Sequence, residues 1–207
     1  MEKDKSKKLK EKNMNQTIQN LVKAFIGESQ ARNRYTYYAR VAQKEGYEQV
    51  GGIFLETAEQ EKTHAKRLFE HIQELKKKSK VKMDEIKVEA AAPIVYDKTI
   101  DNLRAAIAGE HYEYSRMYPE FARVAEREGL AKIAARLRAI AVAETHHEER
   151  YKKLLKVVSG KTVFKKSKSI SWVCRECGYM HSGKEAPKIC PSCSHPQAFY
   201  QIKCENY

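Results

Sequence analysis

Cysteine is absent until Cys174, proline occurs five times and tryptophan once. The late cysteines leave most of the chain without disulfides, and the scarcity of proline and glycine removes the usual interruptions of long helices. No apolar stretch approaches the roughly 18–20 residues that a membrane-spanning helix needs, so no membrane partner is expected. Met1–Lys12 alternate lysine with acid around no apolar centre, which argues against a secretory signal or an anchor there. A cytoplasmic location is the resulting expectation. A Gly-rich nucleotide-binding fingerprint is also missing, so any dinucleotide chemistry has to belong to another protein.

What the 207 residues do contain is charge: 32% are Asp, Glu, Lys or Arg, against 42% apolar, a balance that suits a soluble helix-rich chain. The formal net charge of +13 raises the question of nucleic acid. The lysines answer it by their placement, at the N-terminus, at Lys76, Lys77, Lys78 and Lys80, and at Lys161, Lys165, Lys166 and Lys168, without a binding motif or interleaved aromatics. They read as solvated segments or a weak docking surface for an acidic redox partner, and no nucleic-acid partner is expected.

An internal repeat organises the first three quarters of the chain. Ala39-Arg40-Val41-Ala42 with Glu45-Gly46 recurs 83 positions later as Ala122-Arg123-Val124-Ala125 with Glu128-Gly129, and the same displacement carries Glu61 onto Glu144 and His64 onto His147. Each copy reads as a helical hairpin turning at a glycine. Apolar spacing places helices over 15–45, 48–77, 98–127 and 130–158. The long connection between hairpins, Lys78–Asp97, makes this a ferritin-like four-helix bundle over 15–158, preceded by a basic tail over 1–14. After a linker over 159–169, short β-type runs over 170–207 form a second, small module.

Glu and His three apart share a helix face, and two such pairs in equivalent places, Glu61-x-x-His64 and Glu144-x-x-His147, indicate a common site. Two further carboxylates, Glu28 and Glu110, lie in apolar sequence, where burial of a charge requires a partner. Glu113 follows one turn after Glu110. Five carboxylates exceed what one divalent ion offsets, whereas two ferrous ions bring four positive charges and two ferric ions six, so the site is read as dinuclear. Oxygen and imidazole donors suit iron, manganese or zinc. Glu28 to Ala39 spans 11 positions but Glu110 to Ala122 spans 12, which predicts a π-bulge in the third helix.

Four of the five cysteines pair as Cys174-x-x-Cys177 and Cys190-x-x-Cys193, knuckles that complete a tetrahedral metal site. A module of this size needs its metal to fold. The fifth, Cys204, reads as a small apolar residue in a short strand.

Taken with Trp172, Gly178-Tyr179 and Pro191, these positions in this order resemble the rubrerythrin family, whose rubredoxin-like domain lies at the C-terminus; the resemblance covers all but the basic tail. It implies iron as the cofactor, two ions in the bundle and one at the cysteines. It further implies that Glu61 and Glu144 bridge the two irons, that Glu28 binds one terminally, and that Glu110 with His147 completes the other. His64 and Glu113 would alternate on the first iron, Glu113 otherwise serving as an acceptor behind it. Tyr35 and Tyr118 would stand beside the site, or be ordinary core aromatics. The implied activity is reduction of hydrogen peroxide to water, with electrons relayed from the cysteine iron and drawn from rubredoxin or an NAD(P)H-dependent reductase. A head-to-tail homodimer is implied, consistent with the distance along the fourth helix between its metal ligands and the start of the linker. The alternative is a ferroxidase or iron-handling ferritin-like protein.

Overall fold

The computed structural model describes residues 2–79 and 84–204, with side chains from Gln16 onward. Lys80 and the side chains of the basic segment 1–14 therefore lie outside the described residues. The order is α1 (Glu2–Lys44), α2 (Glu48–Ser79), α3 (Thr99–Tyr112), a π-turn (Glu113–Met117), α4 (Tyr118–Arg127), α5 (Ala131–Ser159), β1 (Lys165–Cys174), β2 (Met180–Glu185) and β3 (Tyr200–Ile202). The chain is mainly helical, a ferritin-like bundle with a small terminal sheet. α1 pairs with α2, and α3 and α4 with α5.

The repeat is visible in how the hairpins close. Gly46 and Gly129 take φ of +82° and +77°, a conformation that costs glycine least. Tyr47 N–H reaches Ala42 C=O at 2.8 Å and Leu130 N–H reaches Ala125 C=O at 2.8 Å, the long bond of a Schellman motif in both cases. The glutamate before each glycine then accepts a backbone N–H of the opposite hairpin, at the start of α3 in one case and within α1 in the other. Glu45 accepts Thr99 N–H at 3.2 Å, and Glu128 accepts Thr17 N–H at 3.3 Å.

α3, the π-turn and α4 form one continuous helix, since Tyr112, Glu113, Met117 and Tyr118 all keep right-handed helical dihedrals. The expected π-bulge is present and occupies Glu113–Met117. Ahead of it the repeat runs at a displacement of 82, matching Thr17, Asn20 and Leu21 to Thr99, Asn102 and Leu103; behind it the displacement is 83. The wide turn absorbs the extra residue.

Two apolar clusters fill the bundle. One contains Leu21, Ala24, Leu68, Met117, Tyr118 and Ile140; the other contains Ala31, Tyr35, Phe54, Ala58, Ala106 and Tyr151. Along each of the four helices the chain passes from one cluster to the other through a buried carboxylate, at Glu28, Glu61, Glu110 and Glu144. The polar layer is thus sealed at both ends by hydrocarbon.

The sheet order is β2-β1-β3, antiparallel throughout, over a small core of Trp172, Cys174, Ala186, Cys190 and Tyr200. β1 begins at Lys165, earlier than the linker expectation. The reason is Phe164, which packs against the module core and accepts Ala186 N–H at 2.9 Å, drawing the preceding chain into the sheet. Phe164 also stacks on Tyr47 with ring centroids 6.3 Å apart, and Arg175 lies over Gly52. The module thereby rests on the α1–α2 turn of its own bundle. Cys204 lies beyond β3 and is exposed, not an apolar residue of a strand as expected.

Candidate metal centres

The bundle layer brings together six of the seven expected donors in two overlapping groups. Glu28, Glu61, His64 and Glu144 form one, and Glu61, Glu110, Glu144 and His147 the other; within each, one donor atom per residue lies within 4.8 Å of the rest. Glu61 and Glu144 belong to both. Their Glu-x-x-His spacing turns the carboxylate and the imidazole of one helix toward the same layer.

His147 Nδ1 approaches Glu144 Oε2 at 2.7 Å, Glu61 Oε1 at 3.1 Å and Glu110 Oε2 at 3.6 Å. His64 Nδ1 stands 3.0 Å from Glu144 Oε1, 3.1 Å from Glu61 Oε2 and 3.8 Å from Glu28 Oε2. These short approaches leave Glu28 Oε2, Glu61 Oε1, Glu110 Oε2, both Glu144 oxygens and His147 Nδ1 buried without a well-aligned hydrogen bond. Lone pairs that converge on shared points and not on one another fit cations at those points.

Proton affinities reflect the same crowding of negative charge. Burial pushes Glu110 up to about 8, reinforced by the charge of Glu61. Glu113 is raised well above the usual carboxylate range by burial and then by Glu110 and Glu144. Burial alone would lower the imidazoles, but the surrounding carboxylates, as acceptors and as negative charges, outweigh it, raising His64 to about 9 and His147 to about 12. Without metal, Glu110, Glu113, His64 and His147 all hold protons more tightly than their free counterparts.

Glu113 is the one expected donor outside both groups. It is buried on the π-turn beside Gly27. Tyr35 and Tyr118 do flank the site, and they cross over: Tyr35 of α1 donates to Glu110 at 2.5 Å, while Tyr118 of α4 donates to Glu28 of α1. Burial raises both phenols well above their ordinary value, so they remain donors. Gln60 was not foreseen. Its Oε1 lies 3.0 Å from His147 Nε2, and a proton donated there leaves Nδ1 free for the site. Its repeat counterpart is Ala143, so the repeat carried no signal for it.

At the other centre Cys174 Sγ is 3.7 Å from Cys193 Sγ and Cys177 Sγ 3.6 Å from Cys190 Sγ. A tetrahedron of sulfurs ~2.3 Å from an ion has edges of about 3.8 Å, so the spacing fits one metal. Each knuckle ends in a residue with positive φ, Gly178 at +76° and Ser194 at +62°. Burial opposes ionisation of Cys190, but the Tyr200 hydroxyl and the Cys193 and Ser192 amides hold it down to about 6. The His195 amide favours the Cys193 thiolate, yet burial and the three neighbouring sulfurs push that thiol up to about 12. Four thiolates coexist here only around a cation.

Fold and site together define a ferritin-like, non-haem two-metal protein with an attached four-cysteine metal module. The family model described as rubrerythrin matches residues 19–155, and that described as the rubredoxin-like domain of rubrerythrin matches 172–201. The chain belongs to the rubrerythrin family. It is 59% identical over 196 residues to a putative rubrerythrin of Methanocaldococcus jannaschii, covering 94% of this chain and 96% of that one. It is 50% identical over 191 residues to a rubrerythrin of Porphyromonas gingivalis, covering 92% of each. The solved structure of nigerythrin in its fully reduced, all-ferrous state superposes with a TM-score of 0.60 at 32% identity, covering 90% of this chain and 86% of that one. The cofactors are iron, two ions in the bundle and one at the cysteines, and the chain is an iron oxidoreductase. No helix among the described residues is long and apolar enough to cross a membrane.

Proposed function

We propose that this protein is a peroxidase that reduces hydrogen peroxide to water and so protects against oxidative stress. The observation that carries this reading is the attachment of a rubredoxin-like four-cysteine module, which would carry single electrons, to a buried two-metal layer, since storing or oxidising iron requires no built-in electron carrier. When bound, the iron supplies the redox chemistry: two electrons with two protons convert one hydrogen peroxide to two waters, and the cysteine site returns electrons singly.

The protein's own groups hold that chemistry in place. Glu61 and Glu144 would bridge both ions, Glu28 and Glu110 would be terminal, and His147 would join Glu110 with its ring fixed by Gln60. Tyr118 and Tyr35 fix the terminal carboxylates. Glu113 and His64 would exchange on the first ion, because a harder trivalent ion prefers anionic oxygen. The two apolar clusters cover the layer at both ends, which limits water there and strengthens these interactions.

Electrons would enter from rubredoxin or an NAD(P)H-dependent reductase in the cytoplasm. The module rests at Gly52, nine residues before Glu61 on α2. At the helical rise that separation is roughly 14 Å, before the span to the cysteines is added. That remoteness supports a head-to-tail homodimer in which one chain's module serves the other's bundle; a fully active monomer in sedimentation would sink it. Anaerobic stopped-flow mixing of the reduced protein with peroxide, and separately with oxygen, tests the activity. Rapid oxidation by peroxide is expected, and preferential oxidation by oxygen would replace this reading with the ferroxidase.

A further inference from the structure

A cavity of about 440 Å³ opens between α1, α3, the π-turn and the crossover segment that precedes α3. Its lining includes Glu113, which is buried on the π-turn one helical turn after Glu110, so the cavity reaches the side chain next to the bundle site. Two glycines line it, Gly27 in the interior of α1 and Gly109 in the interior of α3, and each immediately precedes a carboxylate of the metal layer, Glu28 or Glu110.

Glycine inside a helix lowers its stability relative to alanine, so its presence usually has a packing or backbone reason. Neither reason applies here. Both residues sit in regular helix without positive φ. A Cβ built on Gly109 meets nothing within 4 Å, and one on Gly27 meets only Glu113 Oε1 at 3.9 Å, an ordinary contact. The contrast with Gly51 is direct, where a Cβ would meet Gln43 Cγ at 2.7 Å and the Ala39 carbonyl at 3.0 Å. At Gly27 and Gly109 the absent side chain leaves space in the cavity and relieves no clash.

We infer that Gly27 and Gly109 keep open a portal through which a small molecule of peroxide size reaches the bundle metal site, with Glu113 as its inner wall. Lys23 and Arg34 on the lining are offset by Glu89 and Glu120, so the passage presents no one-signed barrier to a neutral molecule or a monoanion. The inference rests on the metal site and extends the peroxidase reading by naming the route of its substrate.

The test uses iron-loaded, oxidised protein mixed with azide in a stopped-flow, reading the rate at which the iron absorption changes. Gly27→Leu, Gly109→Leu and Ala91→Trp each project bulk into the cavity, the last from the exposed crossover, where no helix is at stake. Each is expected to slow azide entry by at least about tenfold while leaving the final absorption change intact, as narrowing a gate affects passage and not the bound state. Val142→Leu, exposed on α5 outside this cavity, is expected to match the parent. Azide entry at parental rate in Ala91→Trp and in whichever leucine variants load iron overturns the portal, whatever peroxide does. Slowed azide entry in a protein whose reduced form ignores peroxide upholds the portal and overturns the peroxidase reading instead.

Discussion

Glu144 illustrates how much one side chain carries. Both of its oxygens are buried without an aligned hydrogen bond, and it faces both imidazoles and both donor groups. Glu144→Ala removes a carboxylate common to the two ion positions, so metal analysis of the variant is expected to fall from about three irons per chain to about one, with the cysteine-site absorption retained. At Ser194 the issue is backbone strain: it repeats the geometry of Gly178 but carries a Cβ in the left-handed region. Ser194→Gly is expected to stabilise the module by about 1 kcal/mol, read as a higher midpoint for loss of the cysteine-site colour on heating. Residues such as Glu28 and Glu110 were legible in the sequence because a charged group amid apolar neighbours needs an explanation. Gln60 was not, since a glutamine on a charged helix is unremarkable until the ring of His147 stands beside it.

Among the elements the π-turn matters most. It lets Glu110 keep the register of Glu28 while Tyr118 keeps the register of Tyr35, so each tyrosine reaches the opposite hairpin's carboxylate. Ser115 is exposed within the turn. Deleting it would remove the inserted residue and restore an unbroken α-helix, leaving Tyr118 seven positions after Glu110, as Tyr35 is after Glu28. Circular dichroism is expected to show undiminished helix, and metal analysis to show about three irons per chain retained; loss of bundle iron would contradict this account of the turn. The one-residue mismatch between repeats revealed the irregularity, but its purpose emerged only with the tyrosines crossing between hairpins.

For the whole molecule, metal and protons compete for the same buried charge. In the metal-free protein Glu110 is raised to about 8 from 4.5, and His64 to about 9 and His147 to about 12 from 6.5. The folded state therefore binds more protons than the unfolded one between those limits, and its stability falls as pH rises. The histidine contributions are complete below about 6.5 and are lost through about 9 and then about 12, while the Glu110 contribution declines from 4.5 to about 8. Metal supplies the compensating charge without protons. Thermal melts of chelator-treated and iron-loaded protein are expected to diverge increasingly between about pH 5 and about pH 9, and a pH-independent gap would contradict the shared-proton picture.

Donor types, the two hairpins, the misfit in the third helix and the terminal module's need for metal were all dictated by the amino-acid sequence alone. They follow from spacing along one helix, from matched repeats, or from the small size of the module. Tertiary structure settled which atoms meet: the sharing of Glu61 and Glu144, the exclusion of Glu113 from both donor groups, the tyrosine crossover, Gln60 behind His147, and the module's seat on its own α1–α2 turn. These depend on contacts between residues far apart in the chain, which local periodicity leaves undetermined. The metal requirement was legible because buried charge must be balanced wherever it lies, whereas the route to the metal depends on the space left between helices.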